Sequence, residues 1–167
     1  VTRKVIEAAP RCRIVARYGI GVDNIAVECA TERGIVVTNV PCYCQDEVSD
    51  HALALLLALA RKITLYDRAT KAGRWDVQLG KPIHRVRGRT LGIVGLGRIG
   101  ASLAAKAAAF GLRVLAHDPN LTPAQARERG AEKVDFATLL RESDFISIHA
   151  PLGMHEGTAG LFGDAEF

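Results

Sequence analysis

The sequence has few of the features that mark secreted, membrane-spanning or disulfide-stabilised proteins. It contains four cysteines in 167 residues, and Cys42 and Cys44 are spaced too closely for the usual C-x-x-C zinc or redox pair. We therefore expect reduced thiols, no metal site and a cytoplasmic protein. The longest wholly apolar run, residues 52–60, predicts a buried helix, because a membrane-spanning helix needs about 20 apolar residues.

The charge balance is equally unremarkable for a soluble protein. The formal net charge is +4, with 49% hydrophobic and 24% charged residues, so the composition favours a folded globular chain with neither a nucleic-acid nor a membrane partner. The most basic stretch, residues 81–89, contains no aromatic side chain; we interpret it as a solvated connector, with a phosphate-binding patch as the alternative. There is no signal-peptide pattern, and Met154 is the single methionine, so we expect a central piece of a longer protein.

The first part of the chain alternates between strand and helix patterns. Residues 13–17 and 35–38 predict two β-strands, and residues 19–21 predict a tight turn after the first of them. Asp23 or Asn24 is the expected N-cap of the intervening helix. This β-α-β order predicts two neighbouring parallel strands.

Residues 46–71 have apolar side chains at helical spacing and predict one long helix of roughly 40 Å. Its middle is apolar nearly all round, so we expect another domain or a second subunit to cover it. A polar connector, residues 73–89, follows. Beyond it the pattern predicts four strands that alternate with three helices: strands 90–94, 112–117, 132–134 and 145–149, and helices 98–110, 122–129 and 136–142. Such alternation is typical of a parallel sheet covered on both faces.

A glycine-rich motif, G-x-G-x-x-G, lies between the first of these strands and its helix. Its residues are Gly95, Leu96, Gly97, Arg98, Ile99 and Gly100. The motif alone is a weak signal, but between a strand and a helix it predicts dinucleotide binding. Gly95 permits the sharp turn, Gly97 lets the backbone approach a pyrophosphate, and Gly100 lets the helix lie close to the strand. The alternative is a glycine-rich turn with no ligand.

An acidic residue stands where the dinucleotide motif requires one. Asp118 ends the next predicted strand, 18 residues after Gly100, and its carboxylate can accept hydrogen bonds from the adenosine ribose hydroxyls. Because neither Pro119 nor Asn120 supplies a cation for a 2′-phosphate, we expect NAD to be favoured over NADP. The alternative role for Asp118 is a plain cap before Pro119.

Several segments together resemble one enzyme family. They are T-L-G-I-V-G-L-G-R-I-G (90–100), H-D-P-N (117–120), H-A-P-L (149–152), R-Y-G-I-G-V-D-N-I (17–25), T-N-V-P (38–41) and E-V-S-D-H-A-L-A-L-L-L-A-L-A-R (47–61). In this order they resemble the D-isomer-specific 2-hydroxyacid dehydrogenases, above all members like phosphoglycerate dehydrogenase and C-terminal-binding protein. The resemblance implies an α/β fold: an incomplete Rossmann-type doubly wound sheet in residues 46–167, truncated after the fourth strand. Part of a flavodoxin-like substrate domain, residues 1–45, would precede it.

The resemblance also implies roles for particular residues. The backbone N–H groups of Gly19, Ile20 and Gly21 are expected to bind the carboxylate of a small 2-hydroxy or 2-keto acid, with Arg17 against the same group. A guanidinium suits this role because it meets a carboxylate with two parallel hydrogen bonds. The alternative for Arg17 is an exposed arginine at a strand end.

The remaining implications concern the adenosine half, assembly and catalysis. The family likeness places Ala150, Pro151 and Leu152 against the adenine and ribose of NAD, and gives the long helix a part in a homodimer. The family's catalytic arginine, in an N-x-x-R-G segment, does not occur in the sequence. We expect that arginine and its glutamate and histidine partners to lie beyond Phe167, so that the chain holds no catalytic residue and is inactive alone.

Two other functions remain open at this point. A non-catalytic NAD(H)-sensing regulator of the C-terminal-binding-protein type would share all of the motifs above. A Rossmann domain for another adenosine cofactor, such as S-adenosylmethionine, would explain residues 95–118 but not residues 17–24 or the long helix.

Overall fold

The first 45 residues form a small α/β unit. The computed structural model describes residues 1–150, which divide into two compact units between Gln45 and Asp46. The first unit contains α1 (Arg3–Glu7), β1 (Ile14–Ala16), α2 (Val27–Glu32) and β2 (Val36–Thr38). β1 and β2 are parallel, as predicted, with Ile14 paired to Val36. Ile6, Cys29, Ala30 and Ile35 form the core of this unit.

The start of α2 differs from the prediction that Asp23 or Asn24 caps it. The N-cap is Ala26, and the residues before it form a turn in which the Ile25 N–H donates to the Val22 carbonyl at 2.9 Å. This turn buries the Ile25 side chain, which is 8% exposed. A helix beginning at residue 23 or 24 would replace that turn, so burial of one isoleucine outweighs the local capping preference.

The second unit is built on a four-stranded parallel sheet. It contains the helices α3 (Gln45–Ala60), α4 (Ile63–Lys71), α5 (Arg98–Ala109), α6 (Pro123–Glu128) and α7 (Phe136–Glu142), and the strands β3 (Thr90–Val94), β4 (Arg113–His117), β5 (Glu132–Lys133) and β6 (Phe145–Ile148). The strands lie in the order β5-β4-β3-β6. This order matches the first four strands of the six-stranded doubly wound dinucleotide-binding sheet, so the predicted Rossmann-type α/β class is confirmed.

Helices lie on both faces of this sheet. Leu91 and Ile93 of β3 point to one face and pack in a buried cluster with Leu103 of α5. Gly92 points to the other face, where an added Cβ would lie 2.8 Å from Cδ2 of Leu139 in α7. α7 therefore approaches β3 so closely that a side chain at residue 92 does not fit. The side chains of β3 are buried on both faces, which explains why this strand is apolar throughout.

The predicted single helix over residues 46–71 is wrong. Lys62 adopts a left-handed conformation, with φ 57° and ψ 32°, and separates α3 from α4. Beyond this break, the Tyr66 hydroxyl donates to the Val77 carbonyl at 2.8 Å, and its ring packs against Gly80. The apolar periodicity continues across the break without glycine or proline, so no local signal marks it. Within residues 1–150, no helix is long and apolar enough to cross a bilayer.

Candidate dinucleotide-binding site

The glycine-rich loop lies at the carboxyl edge of the central strand. It follows β3, whose two neighbours in the sheet are β4 and β6. The chain runs outward from β3 through β4 to β5 and then crosses to β6 on the opposite side. The loop therefore lies at the point where the strand order reverses, which is where open α/β sheets bind their ligands.

Gly95 makes the turn out of β3 possible. Its φ of 88° lies in the left-handed region that favours glycine. An added Cβ would also lie 2.7 Å from the backbone nitrogen of Ala150 and 2.9 Å from the carbonyl carbon of His149. Both the turn and the close approach of the segment after β6 therefore require glycine at this position.

The other two glycines of the motif differ in their surroundings. A Cβ added at Gly97 would have no atom within 4 Å, so the space beside this residue is open. A Cβ at Gly100 would come within 3.0 Å of the Gly95 carbonyl oxygen and 3.2 Å from Cγ2 of Ile93. Gly100 thus allows α5 to pack on the loop and strand, whereas Gly97 leaves room for a ligand at the helix N-terminus. That terminus presents N–H groups and a partial positive charge suited to phosphate.

Asp118 lies against the same loop. One carboxylate oxygen accepts a hydrogen bond from the Leu96 N–H at 2.9 Å, and the other accepts one from the Asn120 N–H at 2.9 Å. The carboxylate is only partly buried, so its remaining lone pairs face accessible space. This position fits an acceptor for ribose hydroxyls and joins Asp118 directly to the glycine loop.

An arginine that the sequence did not single out also reaches the loop. Arg129, the C-cap of α6, donates from Nη1 to the Leu96 carbonyl at 2.6 Å. The two polar backbone atoms of Leu96 are therefore held by Asp118 on one side and Arg129 on the other. The Leu96 side chain is fully buried, so packing holds this residue in addition to the two hydrogen bonds. No local pattern could have indicated Arg129, because it is 33 residues from its partner.

The segment after β6 closes one side of the loop. The His149 N–H donates to the Val94 carbonyl at 2.7 Å, and Ala150 lies beside Gly95. The His149 ring is 2.9 Å from the Ser147 hydroxyl, and burial lowers the pKa of His149 below its ordinary value. This histidine is therefore neutral near pH 7. Pro151 and Leu152, the other predicted adenine-wall residues, lie outside the described residues.

A polar cluster joins the helix of the loop to α3. Lys106 of α5 contacts the Asp50 carboxylate at 2.6 Å and the Ser49 hydroxyl at 2.7 Å, and Ser49 lies 3.0 Å from the Ser102 hydroxyl. Ser49 is completely buried, so its hydroxyl needs these partners. The hydrogen bond to Asp50 raises the pKa of Lys106, which therefore stays charged. The cluster holds α5, and with it the N-terminus beside the loop, against α3.

In the first unit, three consecutive carbonyl groups of the predicted substrate turn each accept a hydrogen bond. The Gly19 carbonyl accepts from the Val40 N–H at 3.0 Å, the Ile20 carbonyl from Asn39 Nδ2 at 2.8 Å, and the Gly21 carbonyl from Arg17 Nε at 3.0 Å. In a trans peptide the next N–H points opposite to the carbonyl. Each N–H group that follows one of these carbonyls, those of Ile20, Gly21 and Val22, is therefore turned away from the donor that holds that carbonyl.

Asn39 is the second residue that sequence reasoning missed. Its T-N-V-P segment marks the end of a strand and contributes to the family resemblance, but neither predicted a role for the Asn39 side chain, which reaches the turn 19 residues earlier. Arg17 is partly buried at the same turn rather than extended into solvent, which disfavours its alternative as a free arginine at a strand end. The structure brings Arg17, Asn39 and the turn into one hydrogen-bonded group.

Comparison with known proteins identifies the second unit. Residues 53–167 match the family model described as the NAD binding domain of D-isomer specific 2-hydroxyacid dehydrogenase. The chain belongs to this family. Since the matched domain is the family's NAD-binding domain, the cofactor of this chain is NAD. The open space at Gly97, the terminus of α5 and the Asp118 carboxylate fit that cofactor.

Individual relatives agree with the family assignment. Over 158 residues the chain is 46% identical to the glyoxylate reductase of Thermococcus litoralis, covering 91% of this chain and 48% of that protein. It is 43% identical over 167 residues to the D-3-phosphoglycerate dehydrogenase of Archaeoglobus fulgidus, covering all of this chain and 31% of that one. The crystal structure of D-lactate dehydrogenase from Aquifex aeolicus, complexed with NAD and lactic acid, has a TM-score of 0.82 at 29% identity, covering 91% of this chain and 45% of that one. The chain thus spans half or less of the length of these relatives.

Proposed function

We propose that this dehydrogenase transfers a hydride between NAD(H) and a small D-2-hydroxy acid or its 2-keto acid. The observation that carries the proposal is the loop at the sheet's switch point, with open space at Gly97 and the Asp118 carboxylate bonded to the Leu96 N–H. The relatives named above are reductases and dehydrogenases of small acids, which supports this substrate class.

We assign the cofactor to the loop and its neighbours. The proposed set is Gly95, Leu96, Gly97, Arg98, Ile99, Gly100, Asp118, Ala150, Pro151 and Leu152. When bound, NAD supplies the hydride acceptor or donor. The residues of this chain bind and orient it: the start of α5 faces the pyrophosphate, and Asp118 receives the ribose hydroxyls. Because Asp118 is anionic and would repel a 2′-phosphate, we expect NAD to bind more tightly than NADP.

We assign the substrate carboxylate to the turn of the first unit, in keeping with a substrate domain in residues 1–45. The proposed residues are Arg17, Gly19, Ile20 and Gly21. Three consecutive carbonyl groups of this turn are hydrogen-bonded, so the peptide groups that include the Ile20 and Gly21 N–H are already oriented before a substrate binds. Preorganised donors of this kind favour an anion without further ordering of the backbone.

In this proposal the histidine, glutamate and arginine that carry out proton transfer lie outside residues 1–167. The 167 residues contain no N-x-x-R-G segment. His149 is a poor base for the reaction because burial lowers its pKa, which weakens it as a proton acceptor, and because its ring is hydrogen-bonded to the Ser147 hydroxyl. We therefore propose that residues 1–167 alone have no turnover, whereas the protein at its natural length does.

We also propose a cytoplasmic homodimer without nucleic-acid or membrane partners. All four cysteines are free thiols, which supports a reducing compartment. Leu55 and Leu59 of α3 are 53% and 69% exposed, and these apolar side chains support a second copy of the chain as the covering surface.

The decisive experiment compares cofactor binding and turnover in the protein at its natural length. We expect nicotinamide fluorescence to report NADH binding, and absorbance to report NADH oxidation with at least one of glyoxylate, pyruvate or hydroxypyruvate. The Gly97→Val variant should lose both, because its side chain occupies the open space beside the loop. Ala105→Val is the matched control, since Ala105 is an exposed residue of the same helix.

The outcomes separate the parts of the proposal. NADH binding without turnover on any 2-keto acid would favour the non-catalytic regulator. Normal NADH affinity in Gly97→Val would show that the loop does not bind the pyrophosphate. Turnover by residues 1–167 alone would place the base within this chain and contradict our assignment of proton transfer.

A further inference from the structure

The guanidinium of Arg129 has more hydrogen-bonding capacity than its single contact uses. Within residues 1–150 its side chain makes one hydrogen bond, from Nη1 to the Leu96 carbonyl, and no ion pair. A guanidinium carries five N–H donors in a planar fork. The side chain is exposed at the end of α6, so its other donors face accessible space. Arg129 is thus a fixed cation with unused donors at the rim of the dinucleotide site.

Its charge lies close to that of Asp118. Asp118 bonds to the nitrogen of Leu96 at 2.9 Å and Arg129 to the oxygen of the same residue at 2.6 Å. Backbone bond lengths then limit the distance between the two side-chain atoms to about 10 Å. This is comparable with the Debye length at physiological salt, about 8 Å, so both charges act on a group bound between them.

We propose that Arg129 is a specificity-determining residue for the adenosine 2′-position, and that it is the cation that attracts a 2′-phosphate. The inference rests on the proposed binding of the adenosine ribose at Asp118. In the natural sequence the Asp118 carboxylate repels a 2′-phosphate and Arg129 partly offsets that repulsion. Removal of the Asp118 charge removes the repulsion and leaves the attraction of Arg129, which favours NADPH.

A second effect of Arg129 is positional. Its bond to the Leu96 carbonyl orients the peptide group between Leu96 and Gly97, so that the Gly97 N–H points the opposite way. Loss of this bond changes the loop for NADH and NADPH alike, because both cofactors share the pyrophosphate. The attraction of Arg129 for a 2′-phosphate, in contrast, acts on NADPH alone, because NADH lacks that group. The ratio of the two dissociation constants therefore separates specificity from positioning.

The test is a set of fluorescence titrations with NADH and NADPH on the protein at its natural length. Asp118→Asn keeps an oxygen that accepts from the Leu96 N–H while it removes the charge, and we expect it to bind NADPH more tightly than the natural protein does. Adding Arg129→Met should then weaken NADPH binding by about ten- to hundredfold, the equivalent of one hydrogen bond to a charged group. NADH binding should change by less than about threefold.

Two further variants keep the result interpretable. Arg129→Lys retains the charge and should restore most of the NADPH affinity. Arg127→Met removes a neighbouring exposed arginine of α6 and should leave the ratio unchanged. Equal weakening of both cofactors by Arg129→Met, or no weakening of NADPH, would overturn the inference while the proposed function stands. Failure of the natural protein to bind NADH would overturn both.

Discussion

The second and third glycines of the motif, Gly97 and Gly100, should respond differently to the same substitution. Gly100→Ala places a Cβ within 3.0 Å of the Gly95 carbonyl oxygen, so the helix or the loop must move. Such overpacking costs about 1–3 kcal/mol, and the better helix propensity of alanine returns up to about 1 kcal/mol. We expect a net loss of about 1–2 kcal/mol in the free energy of unfolding. Gly97→Ala meets no atom within 4 Å, so we expect a change below about 0.5 kcal/mol.

We expect Gly97→Ala, the variant that keeps its stability, to lose affinity for the cofactor. The methyl group of Gly97→Ala lies where the pyrophosphate approaches the backbone, and loss of one charge-assisted hydrogen bond weakens binding by at least about tenfold. Urea unfolding gives the stability of each variant, and NADH fluorescence titration gives its affinity. Stability losses of equal size in the two variants, or an unchanged NADH dissociation constant in Gly97→Ala, would refute the argument.

Three other predictions concern the cofactor, the substrate and acid stability. Asp118→Ala should reduce the ratio by which NADH binds more tightly than NADPH. Equal affinities for the two cofactors in the natural protein, measured by calorimetry, would contradict the role of Asp118. Asn39→Ala should raise the KM for the 2-keto acid by about threefold to tenfold with a smaller change in kcat, because the Ile20 carbonyl loses its hydrogen bond and the substrate turn is less well held. Steady-state kinetics in which kcat alone fell would contradict this prediction. The Thr90 N–H and Arg89 lower the pKa of the Asp144 carboxyl. Its stabilising effect is therefore present above about pH 4 and is lost as the pH falls through the lowered value, so Asp144→Asn should weaken the protein at neutral pH and flatten its acid unfolding curve.

The elements of the second unit were predictable because their signals are local. β3 and α7 have the predicted bounds, and α5 ends one residue earlier than predicted. β3 is apolar without interruption, and glycines follow α5 and α6 closely. The position of the loop also follows from order alone, since parallel strands place their carboxyl ends at one edge.

The errors occurred where contacts outside the predicted helix outweighed a local pattern. No glycine or proline in the sequence marks the break at Lys62. After the break, the Tyr66 side chain of α4 reaches the connector and donates to the Val77 carbonyl. The turn before α2 buries Ile25 at the cost of the Asp23 or Asn24 cap. In both cases the competing interaction involves packing that a helical pattern does not encode.

By itself the sequence determined the fold class, the glycine loop, its acidic partner and the family likeness, because these depend on residue types at short fixed spacings. Only the tertiary structure decided which distant side chains support the two turns. Arg129 holds the loop across 33 residues, and Asn39 holds the substrate turn across 19. A long polar side chain has the same local propensity whether it ends in solvent or on a backbone carbonyl. The packing of the strands and helices beneath it fixes which carbonyl it meets.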